Sequence, residues 1–326
     1  MRAVALVGVG QVEVVDDWPE PECGPGDVVV GVRAVGLCGT DLSVYAGKRA
    51  VPGMPWVMGH EGGGEIVAVG DDVHDRQVGQ RVVIEPNVPD GTCPFCRAGR
   101  SSACKNRQIV GVNRTGILAE RVVVPAAFAW PVPAEWSDEA LACFEPLVVA
   151  YTAVTRAGVV AGVECLVVGA GSQGLLVCQS LLAVGAHPYV VEPHEGRLAL
   201  AEKLGARRAD ERKDTYPFVF ETSGAPPAWE PAFAAVGNTG TLVVIGQTTT
   251  PVPIVTNTVV QRQIAIRGTL IYDHPQDYAA ALRAVASGAI APEATVQAGF
   301  AVEEAAAAFA GVRDIPGKSW ISMVSS

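Results

Sequence analysis

The chain has 326 residues, more than one core usually takes, so two domains are expected. It is 49% hydrophobic and 18% charged, which excludes a disordered chain. A formal net charge of −10 argues against nucleic acid or an anionic membrane as partner.

No transmembrane span is visible. The most apolar run, residues 174–186, is short and carries Gln179 and Ser180. The opening residues, Met1 to Val7, read as a first strand and not as a cleavable leader. A cytoplasmic protein with reduced thiols is therefore expected. Its cysteines are then ligands or core residues; Cys23, Cys143, Cys165 and Cys178 read as core or loop.

Residues 1 to about 148 have a β-rich texture. Short β-branched runs recur at 28–35, 65–69, 80–84 and 120–124, punctuated by Gly, Pro and Asp. Within this part lie Gly36-Leu-Cys-Gly-Thr-Asp41 and Gly59-His-Glu-Gly62. Cys38, His60 and a carboxylate, Glu61 or Glu145, form a plausible zinc set with one position left for substrate. Either Cys38 or His60 alone would read as an ordinary core residue. A second cluster, Cys93, Cys96 and Cys104, reads as a structural zinc loop. Asp90, three residues before Cys93, is the candidate fourth ligand.

The texture changes at Glu145-Pro146, where Pro146 suits the first position of a helix over 147–158. Strands at 165–168, 188–192, 217–221, 240–245 and 264–268 then alternate with helices at 174–184, 198–204 and 231–236. That pattern predicts a doubly wound parallel sheet. Gly169-Ala-Gly-Ser-Gln-Gly174 fits G-x-G-x-x-G between a buried strand and an apolar helix. Gly169 would make the turn, Gly171 would admit the pyrophosphate, and Gly174 would pack the helix; Gln173 lies in the same turn. Glu192 ends the next strand, where it can accept from ribose hydroxyls and repel a 2′-phosphate, favouring NAD over NADP. Arg197 lies nearby and can stack on adenine or pair with Glu192. From about 272 two Ala-rich helices and a last strand at 320–324 are expected to return to the first domain. The boundaries are then 1–148 with 273–326 for one domain and 149–272 for the other.

These motifs, in this order, resemble the zinc-dependent medium-chain dehydrogenase/reductase superfamily. The resemblance extends to Phe220-Glu-Thr-Ser-Gly224, Val244-Ile-Gly246 and Gly317-Lys318. It implies a GroES-like β-rich catalytic domain joined to a Rossmann domain. Glu145-Pro146-Leu147 is similar to the polyol, sugar and threonine dehydrogenase branch, and Cys38 to Ser43 to dehydrogenases of aminocyclitol biosynthesis. The resemblance implies Cys38, His60 and a carboxylate as zinc ligands, Thr40 as the hydroxyl passing on the substrate proton, and Gly246 beside the cofactor. Many relatives have histidine where this chain has Ser43, at the outer end of the proton path. Relatives are usually dimers or tetramers, so a homo-oligomer is implied.

The expected reaction interconverts a secondary alcohol and its ketone by hydride transfer. The expected substrate is a small polyhydroxy or amino alcohol. The alternatives are a zinc-free reductase of enones or quinones, and a non-catalytic NAD-binding protein.

Overall fold

The computed structural model describes residues 1–209 and 215–324. The chain divides into two compact units, Met1–Glu145 with Val296–Ser326, and Pro146–Thr295.

The first unit is built on a mainly antiparallel sheet. Its order is Ala129–Pro131, Arg81–Ile84, Glu61–Val69, Asp27–Gly36, Lys318–Ser322 and Val296–Ala301. Arg121–Pro125 also pairs with Asp27–Gly36. Alternation is clear in Arg121–Pro125, where Val122 and Val124 point into the core. Val28, Val30, Val32, Ile66, Val82 and Ile84 fill the same core. Burying each such side chain contributes about 1.5–3 kcal/mol before entropy is subtracted. Three central strands, Glu61–Val69, Asp27–Gly36 and Lys318–Ser322, lie side by side, so Glu61, Gly36 and Trp320 stand in one cross-strand row.

The second unit holds a six-stranded sheet, parallel throughout. Its order is Arg207–Arg208, His187–Val191, Glu164–Val168, Tyr216–Glu221, Val236–Val244 and Ala265–Gly268. The chain winds outward from Glu164–Val168 in one direction, then resumes beside it in the other. Ligands of such sheets bind at the carboxyl ends of the strands at this reversal. Trp229 and Phe233, on the helix Pro226–Ala234, stack with centroids 6.5 Å apart in the same core.

Two expectations along the chain need correction. The helix expected over 147–158 runs from Asp138 to Ala157, with Pro146 inside it. Its start is set by Ser137, whose Oγ accepts the Ala140 N–H at 3.1 Å. Pro146 has no N–H, so it cannot donate to the Ala142 carbonyl one turn earlier. This helix is long and apolar enough to cross a membrane, contrary to the expectation that no such run is present. With 72% of that window buried, it reads as a core helix.

The tail also divides later than expected. Gln276–Ala286 and Pro292–Thr295 belong to the second unit, and the chain re-enters the first at Val296. Arg156, in the last turn of the Asp138–Ala157 helix, donates to Asp273 at 2.5 Å and Asp277 at 2.6 Å, which ties this stretch down.

Candidate active site and cofactor turn

The site starts with a helix cap. Cys38 precedes the short helix Gly39–Tyr45, and its Sγ accepts the Thr40 N–H at 3.5 Å. Asp41, third in that helix, reaches back to accept the Cys38 N–H at 3.0 Å. Its other oxygen accepts the Gly59 N–H at 3.2 Å. One buried carboxylate thus ties the Cys38 turn to the segment that carries His60.

His60 Nδ1 lies 3.4 Å from Asp41 Oδ1, an ion-pair contact rather than a well-formed hydrogen bond. Among the described residues the buried Nδ1 has no hydrogen-bond partner. Burial raises the Asp41 pKa, but His60 and the two amides outweigh it and hold the carboxyl below its usual range. Burial likewise acts to lower His60, yet Asp41 and Cys38 push the imidazole well above its usual value. A bound cation would displace that proton, because metal ligation requires neutral imidazole.

Cys38, His60 and Glu61 offer ligand atoms all within 4.8 Å of one another. Thiolate, imidazole and carboxylate, with a second carboxylate behind the imidazole, fit zinc. Glu61 is also paired with the buried Lys318 ammonium. Glu145 is 5% exposed, on the Asp138–Ala157 helix, and lies outside the group of mutually close donors. Thr40 is half-buried in the helix that Cys38 caps. Ser43 Oγ donates to Gly39 O at 2.8 Å, so its proton is engaged by the helix.

Asp90, Cys93, Cys96 and Cys104 form a second group within the same 4.8 Å limit. Cys93 and Cys96 sulfurs are 3.4 Å apart. The Asp90 N–H donates to Cys104 Sγ at 3.4 Å, and the Cys96 N–H to Cys93 Sγ at 3.5 Å. Asp90 Oδ1 accepts from the Thr92 and Cys93 amides, and Oδ2 from Asn106 Nδ2 at 2.8 Å. The Cys93 amide, Asn106 and the Thr92 amide together hold the Asp90 carboxyl well below the usual range. Burial pushes the Cys96 thiol up to about 12. Three sulfurs and one carboxylate make a four-donor set of the kind that closes around structural zinc.

In the second unit the glycine turn has three different tasks. Gly169 has φ +98°, the left-handed region that favours glycine. A Cβ at Gly174 would sit 2.0 Å from Gly169 O, so only glycine lets the helix Ser172–Ala183 close on the turn. Around Gly171 the space is open, with nothing within 4 Å of a Cβ. Glu192, just past the strand His187–Val191, accepts the Ala170 N–H at 2.7 Å and the His194 N–H at 2.9 Å. Gly246 lies against Gly224 beside a cavity of about 460 Å³, at the carboxyl ends of Tyr216–Glu221 and Val236–Val244.

Comparison with known proteins agrees with this architecture. Residues 24–134 match the alcohol dehydrogenase GroES-like domain, and residues 174–287 match the zinc-binding dehydrogenase family. The chain is 33% identical over 287 residues to L-threonine 3-dehydrogenase of Serratia proteamaculans (strain 568), covering 82% of this chain and 84% of that one. Galactitol-1-phosphate dehydrogenase from Escherichia coli superposes with a TM-score of 0.90 at 26% identity, over 98% of this chain and 99% of that one. A Sinorhizobium meliloti 1021 protein whose crystal structure is bound to NADP superposes at 0.89, with 28% identity over 98% of each chain.

The chain belongs to the zinc-type medium-chain alcohol/polyol dehydrogenases. It is an oxidoreductase that interconverts an alcohol and a ketone, with zinc and a nicotinamide cofactor. That sets aside the zinc-free and non-catalytic alternatives.

Several residues of the dehydrogenase escaped the sequence reading. Asp41 was legible in principle, since a carboxylate three residues after a capping side chain completes a capping box. Thr222 Oγ1 donates to Val168 O at 3.0 Å and Gly169 O at 2.9 Å, bracing the glycine turn from the next strand. Glu221 Oε1 accepts from the Ser223 and Gly224 amides and shapes the cavity wall. Gln173, expected at the cofactor, donates through Nε2 to Pro146 O at 3.3 Å. Arg197 opens the Glu195–Lys203 helix, its N–H donating to His194 Nδ1 at 3.3 Å.

Proposed function

We propose that the enzyme interconverts a polyhydroxy or amino alcohol and its ketone, with NAD as its preferred cofactor and Cys38, His60 and a carboxylate from Glu61 or Glu145 as the catalytic zinc ligands. The observation that carries the site reading is the close grouping of Cys38, His60 and Glu61, with Asp41 behind the imidazole. Cys38, His60 and a carboxylate would hold a metal able to supply Lewis-acid polarisation of a substrate oxygen, and the glycine turn a nicotinamide able to exchange hydride. Cys38 and His60 supply the fixed donors. Thr40 accepts the hydroxyl proton and passes it outward. Ser43 can pass it on by releasing its own proton, which the Gly39 carbonyl holds in a hydrogen bond, as it accepts the incoming one. In the cysteine lobe, Asp90, Cys93, Cys96 and Cys104 hold a second, structural zinc.

On the cofactor side, Gly169, Gly171 and Gly174 admit the pyrophosphate to the helix N-terminus. Gly246 and Arg197 flank the cofactor. The Glu192 carboxylate, fixed by two amides, favours ribose hydroxyls and disfavours a 2′-phosphate. The substrate class is supported by the relatives, whose names specify threonine and galactitol 1-phosphate. Self-association is supported by the edge strand Ala265–Gly268, exposed along its length beside exposed Val255, Val260 and Leu270. The absence of a disulfide among the cysteines of the described residues suits the cytoplasm.

A panel of amino alcohols, polyols, sugar phosphates and simple alcohols with NAD and NADP, alongside metal analysis, tests the reading. Faster turnover of a polyhydroxy or amino alcohol than of ethanol, with NAD preferred, supports it. Preference for ethanol, for NADP, or full turnover without zinc overturns the corresponding part.

A further inference from the structure

We propose that Lys318 is a positioning residue of the metal site: it holds the Glu61 carboxylate beside Cys38 and His60 but outside the metal's coordination sphere. The proposal rests on Cys38 and His60 being the zinc ligands.

The argument starts from the sheet. Glu61 is the cross-strand partner of Gly36, and Gly36 is the partner of Trp320. Lys318 begins the strand that carries Trp320. To reach Glu61, the Lys318 side chain has to pass the middle strand. It passes at Gly36. A Cβ there would sit 2.8 Å from Lys318 Cε, 2.9 Å from Glu61 Oε2 and 2.2 Å from the Ala142 carbonyl. The missing side chain of Gly36 is therefore the opening through which the ion pair forms. The third of those atoms is the carbonyl to which Pro146 has no N–H to donate.

Lys318 is then locked from two sides. Its Nζ donates to Glu61 Oε2 and, at 2.9 Å, to Leu37 O. The Leu37 N–H donates to Ser319 O at 2.9 Å, which keeps the two strands in register. Lys318 and Glu61 are each 2% exposed. A metal bound by Glu61 would compete with the buried ammonium for the same carboxylate, and any loosening of the ion pair would leave that ammonium short of its countercharge, a costly state. An ammonium on the carboxylate also draws electron density from the oxygen that would ligate. Both effects keep Glu61 as a neighbour of the metal. The third donor then comes from elsewhere, and Glu145 is the other carboxylate proposed for that role.

The test uses the holoenzyme with cobalt(II) in place of zinc, reading the visible d–d band of the Cys38 site. The C38S variant, with cobalt in the cysteine lobe only, supplies the baseline. In K318M the freed Glu61 joins the metal, so the band loses intensity and shifts as coordination number rises. K318R and the neutral double variant K318M/E61Q keep the wild-type band. E61Q alone also keeps it, because Glu61 is not a ligand. An unchanged band in folded K318M, or an altered band in E61Q, overturns the proposal. A wild-type spectrum identical to that of C38S overturns the zinc-ligand reading as well, and so separates the two failures.

Discussion

The two groups of candidate metal donors solve the same problem differently. In the first, Cys38, His60 and Glu61 stand on a helix cap and a central strand, within a buried sheet. In the second, Asp90, Cys93, Cys96 and Cys104 come from one exposed loop and its short helical turns. Each contains a carboxylate, yet its partners differ. Asp90 is held by backbone amides of its own loop. Glu61 is held by an ammonium from a strand 257 residues away. A loop can shape its own ligand, whereas a site in a sheet needs distant countercharge. The first group should survive metal loss as a folded unit, and the second should depend on its ion for order.

The largest expected effect falls on the sheet site. Cys38→Ser or His60→Ala should lower kcat/KM by about 1000-fold, since several kcal/mol of charge stabilisation are lost. NADH binding, followed by fluorescence, should be unchanged in both. Retained activity would mean that the catalytic donors lie elsewhere.

Next in size is stability. In the metal-free protein, Lys318→Met leaves Glu61 buried without its ammonium and should cost about 3–5 kcal/mol in denaturant unfolding. The double change with Glu61→Gln should recover most of that. A cost no larger than for an exposed pair would erase the contrast between the sites.

In the loop, Asp90→Ala should reduce zinc from about two to about one per chain by metal analysis, with kcat little changed. Unaltered zinc content would assign the fourth ligand to another group.

The smallest effect is outside both metal groups. Glu192→Ala should raise KM for NAD by about 10-fold, the worth of hydrogen bonds to a charged acceptor, and narrow the preference over NADP. A widened preference would reverse the role assigned to Glu192.

How legible each feature was in the sequence follows from how local its causes are. The glycine turn could be read because its three constraints lie within six residues of chain: a left-handed turn, an open face and a close helix contact. The cysteine loop could be read for the same reason, Asp90 included as a candidate. Cys38 and His60 were recognisable as a pair by residue type and the glycines around them. The strand at Asp27–Gly36 announced itself by its β-branched run.

Other features depended on pairings that only the folded sheet creates. Pro146 looked like a helix start, because a proline in isolation suits a first turn; packing carries the helix through it from Ser137. The stretch after Ile271 stays with the second unit until Val296, and Arg156 holds its start through Asp273 and Asp277. Asp41 became a link only when the Cys38 turn and Gly59 met across it. Lys318 looked like a terminal basic residue. The register of three strands, and the empty space at Gly36, brought its charge to Glu61. Sequence alone therefore determined the donor types and the cofactor turn, whose physics is short-range. Tertiary structure decided which carboxylate meets which charge, because buried charges are settled by neighbours that chain order does not reveal.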